Sequence, residues 1–167
     1  MGEVTFKKAI EADFQNITDI FNYYVENSTA IAFYKPLPLA EVISIFNLKS
    51  PTTYTFCIYS DDIFCGFCLM KQYAQREGYK FTYEITIYLK PEYTGKGIGS
   101  IALSHLEGLA SKSGVKTLVA GISSEVTSSI KLFEKHNYSK CGHMINMVHK
   151  FNRWHDTIYY QKLLEDV

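Results

Sequence analysis

The sequence predicts a single α/β domain built on a mixed sheet, and three observations carry that expectation. First, 167 residues suffice for one filled core and are few for two ordinary domains, so residues 1–167 are read as one unit. Second, stretches with strand alternation interleave with stretches at helical spacing, in the order β-α-α-β-β-β-α-β-α-β-β. Third, a glycine-rich turn, Thr94-Gly95-Lys96-Gly97-Ile98-Gly99-Ser100, lies between the most regular strand and a helix.

Glu3 to Lys8 reads as a first strand. Asp13 then stands at an N-cap position ahead of Ile17, Ile20, Phe21, Tyr24 and Val25 at helical spacing. Pro36-Leu37-Pro38 interrupts the chain, and Leu39, Val42, Ile43 and Phe46 predict a short helix that ends before Pro51. Thr53 to Tyr59 and Ile63 to Lys71 are two β-rich runs that meet as a hairpin at Asp61-Asp62. From Tyr79 to Lys90 the alternation is nearly perfect: Tyr79, Phe81, Tyr83, Ile85, Ile87 and Leu89 share one face, with Glu84 and Tyr88 on the other. The glycine-rich turn follows Pro91 and opens a helix carrying Ile98, Ala102, His105, Leu106 and Leu109, which Gly114 terminates. Lys116 to Ile122 is a strand and Ser128 to Lys135 a short helix with Ile130, Leu132 and Phe133 inward. Tyr138 to His149 and Thr157 to Leu164 close the domain as paired strands.

Charge and composition exclude several function classes. Lysine plus arginine and aspartate plus glutamate each total 17, and no basic run stands out, so no nucleic-acid or anionic-lipid partner is expected. No long apolar stretch and no basic segment leading into an apolar one occurs, which predicts a soluble cytoplasmic protein with no membrane partner. The four cysteines are read as free thiols. Cys65 and Cys68 fall in one strand, where a spacing of three sends them to opposite faces unless a bulge intervenes. With no second pair to complete four ligands, no metal is expected.

A helix N-terminus presents unpaired amides and a partial positive charge, and glycines let an anion approach them. The turn is therefore an anion site of open identity. A Walker loop fails because Lys90 stands where a glycine is needed and Gly97 where a serine or threonine is needed. A dinucleotide fingerprint starting at Gly95 fails at Ser100 and lacks the N-terminal βαβ setting.

Ile85 to Ser100 resembles the cofactor motif of the GNAT superfamily of N-acetyltransferases, usually Q/R-x-x-G-x-G/A, with Gly97 and Gly99 matching and Thr94 in the first place. Across nearly the whole chain the resemblance narrows to the phosphinothricin acetyltransferase-like branch, which acetylates small amino acids and their analogues. It rests on Phe21 to Ala30, on Arg76-Glu77-Gly78-Tyr79 ahead of Glu84, on Ser129 to Lys135, and on His149-Lys150-Phe151-Asn152-Arg153-Trp154-His155-Asp156.

The resemblance implies a GNAT fold, with a central, mixed, mostly antiparallel twisted sheet of about seven strands and about four helices. It further implies acetyl-CoA as co-substrate and a homodimer. Glu84 would be the general base, although alone a carboxylate on the polar face of a strand is usually just solvated. Backbone groups of Ile87, Tyr88 and Leu89 would hold the pantetheine arm, with an N–H near Tyr88 or Leu89 facing the thioester oxygen. Thr94, Gly95, Lys96, Gly97, Ile98, Gly99 and Ser100 would cradle the pyrophosphate. Arg76 would grip an acidic group of the acceptor, with Phe33, Tyr79 and Trp154 lining its pocket and Asp156 orienting the pocket or pairing with the incoming ammonium. Phe133 stands where the branch places a proton donor, which passes the acid role to Tyr138, with Tyr93 or water as alternatives; Val126 and Lys35 are further departures. Transfer to a polyamine, aminoglycoside or protein N-terminus, and acetyl-CoA binding with weak catalysis, are the competing readings.

Overall fold

The computed structural model describes residues 2–46 and 49–164. Its elements run β1 (Val4–Lys8), α1 (Phe14–Asn27), α2 (Leu39–Phe46), β2 (Thr53–Ser60), β3 (Ile63–Gln72), β4 (Thr82–Leu89), α3 (Ile98–Lys112), β5 (Thr117–Ser123), α4 (Thr127–Lys135), β6 (Ser139–Lys150) and β7 (Arg153–Leu163). The seven strands form one sheet in the order β1-β2-β3-β4-β5-β7-β6. Every neighbouring pair is antiparallel except β4 and β5, which are parallel and joined through α3. This is the mixed, mostly antiparallel sheet with four helices that the resemblance implies.

The alternation of β4 divides the interior into two cores. Tyr83, Ile85 and Leu89 pack with Ile98, Ala102, Leu106, Leu118 and Phe133, so α3 and α4 cover that face. Tyr88 packs on the opposite core, to which α1 and α2 supply Phe14, Ile17, Phe21, Val25, Val42 and Phe46 and β3 supplies Phe67. Fully burying each such side chain stabilises the fold by about 1.5–3 kcal/mol, so both faces of the sheet are firmly held.

The structure revises several boundaries. β4 starts at Thr82 rather than Tyr79, because Glu77–Tyr79 coil into a single 3-10 turn and Phe81 stays exposed. β7 starts at Arg153 rather than Thr157: Phe151 and Asn152 take left-handed backbone, with φ of 52° and 57°, and reverse the chain early. Asp13 does occupy the position before α1, yet its carboxylate accepts the Ile10 N–H at 2.9 Å instead of capping the helix. Asp61 and Asp62 form the expected β2–β3 turn, both left-handed.

The two-residue alternation of β3 also breaks. The pairing with β2 shifts between Ile58 and Tyr59, so that Ile58 faces Gly66 while Tyr59 faces Phe64, and Cys65 bulges out of register. Cys65 and Cys68 consequently enter the same core rather than opposite faces. Both remain free thiols whose pKa burial raises, and burial pushes Cys57 up to about 12. Among the described residues no three histidine, cysteine or acidic side chains gather as a metal site would need.

Gly66 beside the bulge lies close against β4. A Cβ there would sit 2.5 Å from the Tyr88 carbonyl oxygen and 3.0 Å from Leu89 Cα, both backbone atoms that cannot swing away. Gly66→Ala is therefore expected to cost about 1–3 kcal/mol, by analogy with overpacked cores. A thermal melt should show a fall of several degrees, and an unchanged melting temperature would refute this close approach.

Candidate functional site

β4 and β5 part company after three paired residues. Their register runs Thr82 to Thr117, Tyr83 to Leu118 and Glu84 to Val119, and then ends. Beyond it the strands diverge around a cleft of about 520 Å³, lined on one side by Ile85–Leu89 and on the other by Ala120–Ser123. Glu84 sits at the apex of the fork.

The β3 ladder shows which backbone groups of β4 face the opening. Tyr73 N–H bonds to Thr82 O at 2.9 Å and Lys90 N–H to Cys65 O at 2.8 Å, so even-numbered residues spend their polar groups on β3. Odd-numbered residues face the β5 side, and with the pairing finished, the N–H groups of Ile87 and Leu89 have no strand partner there. The Leu89 carbonyl is occupied, since Tyr24 Oη donates to it at 2.7 Å. Of the two amides expected near the reacting oxygen, Leu89 points into the cleft and Tyr88 into the sheet. Sequence reading missed Tyr24, whose spacing marks it only as part of the apolar face of α1.

At the far end of the cleft Gly95 and Gly97 take left-handed backbone, with φ of 71° and 80°, and Gly97 is the N-cap of α3. Such angles suit glycine and strain any other residue. The amides of Gly97, Ile98 and Gly99 bond to no carbonyl among the described residues, which leaves a nest of donors at a helix N-terminus. Thr94, Gly95, Gly97, Gly99 and Ser100 line the cleft. Ile98 offers only its amide, because its side chain is buried in the core. Lys96 points away, its ammonium 5.4 Å from the centroid of the Tyr93 ring. Thr94 Oγ1 is spent on the Pro91 carbonyl at 2.7 Å. The cations bordering the cleft are instead Lys131 and Lys135 of α4, neither singled out by sequence.

The residues expected to hold an acceptor lie elsewhere, none of them lining the cleft. Glu84 projects on the face of β4 that carries Tyr88, 3.9 Å from Lys71 Nζ, its cross-strand neighbour. Arg76 and Tyr79 occupy the exposed loop before β4, where Tyr79 packs on Tyr73 with ring centroids 5.6 Å apart. Burial raises the pKa of the Tyr159 phenol, and the charges of Tyr73 and Glu84 raise it further. Phe33 stands on the loop after α1 against Phe21, with centroids 6.0 Å apart. Trp154 is 60% exposed and packs edge-on to His149. Asp156 is engaged within the sheet: it accepts the Asn146 N–H at 2.9 Å and a His143 Nε2 contact at 2.8 Å, which hold its carboxyl below the usual range. It fastens the irregular part of β6 rather than opening onto a pocket.

Tyr138 does not line the cleft either. It is buried, edge-on to Phe133 with centroids 4.9 Å apart, and Phe133 rather than Tyr138 lines the cleft. Burial and the nearby Glu107 carboxylate push its phenol far up. Val126 does line the cleft, as its place beside β5 suggests.

The loop 28–31 closes one wall. Ala30 lines the cleft and its carbonyl accepts Tyr88 Oη at 3.2 Å; Thr29 and Ser123 share a 2.7 Å hydrogen bond that ties the loop to β5. Lys150 is buried beneath the loop and donates to Ser28 O at 2.6 Å and Ile31 O at 2.7 Å. Its desolvation lowers its pKa.

The model of the acetyltransferase (GNAT) family matches residues 17–138. The chain belongs to the GNAT acetyltransferases. Its enzyme class is therefore acyl-CoA-dependent N-acyltransferase. This GNAT chain is 30% identical to the L-methionine sulfoximine/L-methionine sulfone acetyltransferase of Pseudomonas aeruginosa, over 92% of its own length and 91% of the relative's. It superposes on an N-acetyltransferase from Staphylococcus aureus Mu50 with a TM-score of 0.91 at 32% identity, covering 98% of this chain and 99% of the other. A phosphinothricin acetyltransferase from Sinorhizobium meliloti, determined in complex with AcCoA, matches with a TM-score of 0.88 at 30% identity over 96% and 88% of the two chains. The described part of this GNAT protein has no helix long and apolar enough to cross a membrane.

Proposed function

We propose that the protein transfers an acetyl group from acetyl-CoA to the amine of a small amino acid or amino-acid analogue by direct attack, with Glu84 as general base. The carrying observation is the fork: an open strand edge at Ile87 and Leu89, an amide nest at 97–99, and a carboxylate at the apex. Those groups fit acetyl-CoA, whose amide-bearing arm pairs with an unpaired strand edge and whose diphosphate suits unpaired helix-start amides. The S. meliloti neighbour holding AcCoA and the methionine sulfoximine/sulfone acetyltransferase relative support the donor and the acceptor class.

Each residue then has a task. Gly97, Ile98 and Gly99 donate amides to the diphosphate, with Ser100 beside them. Ile87 pairs with the pantetheine arm. The Leu89 N–H donates to the carbonyl oxygen as it becomes an oxyanion, and Tyr24 holds the carbonyl of the same residue in the next peptide unit. Glu84 receives the ammonium proton, directly or through water, and so frees the amine to attack. Phe133 stands between Tyr138 and the cleft, so the departing thiolate takes its proton from water. Arg76 and Tyr79 lie on the loop leading to Glu84 and would receive the acidic group of the acceptor.

A homodimer completes the acceptor side in this reading. Met144, Ile145 and Met147 on edge strand β6 and Trp154 on β7 expose 49, 74, 52 and 60% of their surface, a pattern that marks interaction sites on soluble proteins. Phe33 and Trp154, unused within one chain, would gain a neighbour there. Sedimentation should give a dimer that Ile145→Lys shifts to monomer; a monomeric wild-type chain would reject the assembly. The unpaired buried thiols accord with a cytoplasmic setting. The reaction is tested by thiol release from acetyl-CoA over a panel of methionine sulfone, methionine sulfoximine, phosphinothricin, common amino acids and polyamines. A response confined to polyamines would reject the acceptor class and retain the reaction.

A further inference from the structure

The first turn of α3 is wired to a histidine that the reaction as described does not use. Ser100 Oγ, which lines the cleft, lies 2.5 Å from His136 Nε2 just after α4. The other ring nitrogen, Nδ1, lies 3.9 Å from Glu107 Oε2 on α3, and Lys162 of β7 pairs with Glu107 Oε1 at 3.0 Å. The histidine and glutamate side chains are only 13% and 17% exposed, so the chain runs under the surface from the cradle to the far side of α3. The remaining charged neighbours are accounted for: Lys162 Nζ lies 5.6 Å from the centroid of the Tyr138 ring, Glu134 accepts from Tyr160 Oη at 2.8 Å, and Lys135 borders the cleft.

We propose that His136 is a positioning residue for the acyl-donor cradle, taking up a proton so that Ser100 can donate its hydroxyl hydrogen to the diphosphate. This rests on the reading that residues 95–100 hold that diphosphate. Ser100 has one hydroxyl hydrogen and two claimants for it. With imidazole neutral and its hydrogen on Nδ1 toward Glu107, Nε2 accepts from Ser100, and the hydroxyl turns lone pairs toward the anion. The other neutral tautomer frees the hydroxyl but sets an Nδ1 lone pair against the Glu107 carboxylate. Imidazolium resolves both conflicts: Nε2–H donates to Oγ, Nδ1–H faces Glu107, and the Ser100 hydrogen turns to the phosphate oxygen as a charge-assisted bond. Binding then favours the protonated form, so affinity is greater at low pH and falls as pH rises.

The test uses 3′-dephospho-CoA, whose diphosphate does not titrate near neutrality and whose terminal phosphomonoester, which does, is missing. Calorimetric titration at about pH 6, 7 and 8, in buffers of different ionisation heat, reads both affinity and protons exchanged. Wild type should bind about five- to tenfold more tightly at pH 6 than at pH 8, with net proton uptake on binding. His136→Gln keeps a donor toward Oγ but cannot titrate, and Ser100→Ala removes the link; both should abolish uptake and flatten the pH response. Should His136→Gln fail to fold by thermal melt, Ser100→Ala carries the same comparison. Binding in wild type without a pH response, or the same response in the variants, would overturn the coupling and leave the cradle standing. No binding of the ligand at any pH would overturn both.

Discussion

Glu84→Gln is expected to lower kcat about 10²- to 10³-fold while acetyl-CoA binding stays within about twofold of wild type. The substitution preserves shape and removes only the capacity to accept a proton. Glu84 lies outside the set of cleft-lining residues, so the donor should not sense the change. The ion pair with Lys71 will be lost, but an exposed pair at 3.9 Å contributes little to stability, and the melting temperature should barely move. Rate loss should be largest at low pH, where the amine is mostly protonated and most in need of a base, and should shrink as pH rises toward the amine's own titration. A variant equally impaired at every pH would assign Glu84 a structural role, and one that turns over normally would remove it from the mechanism.

Gly97→Val should produce the complementary defect, an acetyl-CoA Kd raised about 100-fold or more. Gly97 is the left-handed N-cap of α3, and a β-branched side chain both strains that backbone and covers the amides of Ile98 and Gly99. Losing charge-assisted hydrogen bonds of about 1.5–3 kcal/mol each accounts for the factor. Saturating acetyl-CoA should recover much of kcat, because the variant leaves Glu84 and Leu89 in place. An unchanged Kd would show that the diphosphate does not rest on this turn.

How much of this was legible in the sequence differs from element to element. β4 was readable because Tyr83, Ile85, Ile87 and Leu89 alternate with polar residues and both cores need that period. The cradle was readable because three spaced glycines before an amphipathic helix satisfy a specific backbone demand. The opposite wall was not: Ala120, Gly121, Ile122 and Ser123 form an ordinary short strand, and only the loss of pairing after Val119 makes it a wall. The bulge at Cys65 is only the exception that the strand period allows for, because Gly66 and Cys65 both fit a buried strand and register is a property of the partner. Trp154 and Asp156 fall ahead of the strand expected from Thr157, because Asn152 at φ 57° marks the reversal only weakly in sequence. Ser100 and His136 are 36 residues apart, and no local pattern links a helix start to the end of another helix.

The central claim is that the fork between β4 and β5 holds the acyl donor along its open strand edge. It is tested most directly by amide hydrogen exchange, residue by residue, with and without acetyl-CoA. The account predicts protection concentrated at the amides of Ile87, Leu89, Gly97, Ile98 and Gly99, with Tyr88 unchanged because its N–H already belongs to β3. Saturating acetyl-CoA that leaves Ile87 and Leu89 exchanging as in the free protein, with protection elsewhere, would contradict it.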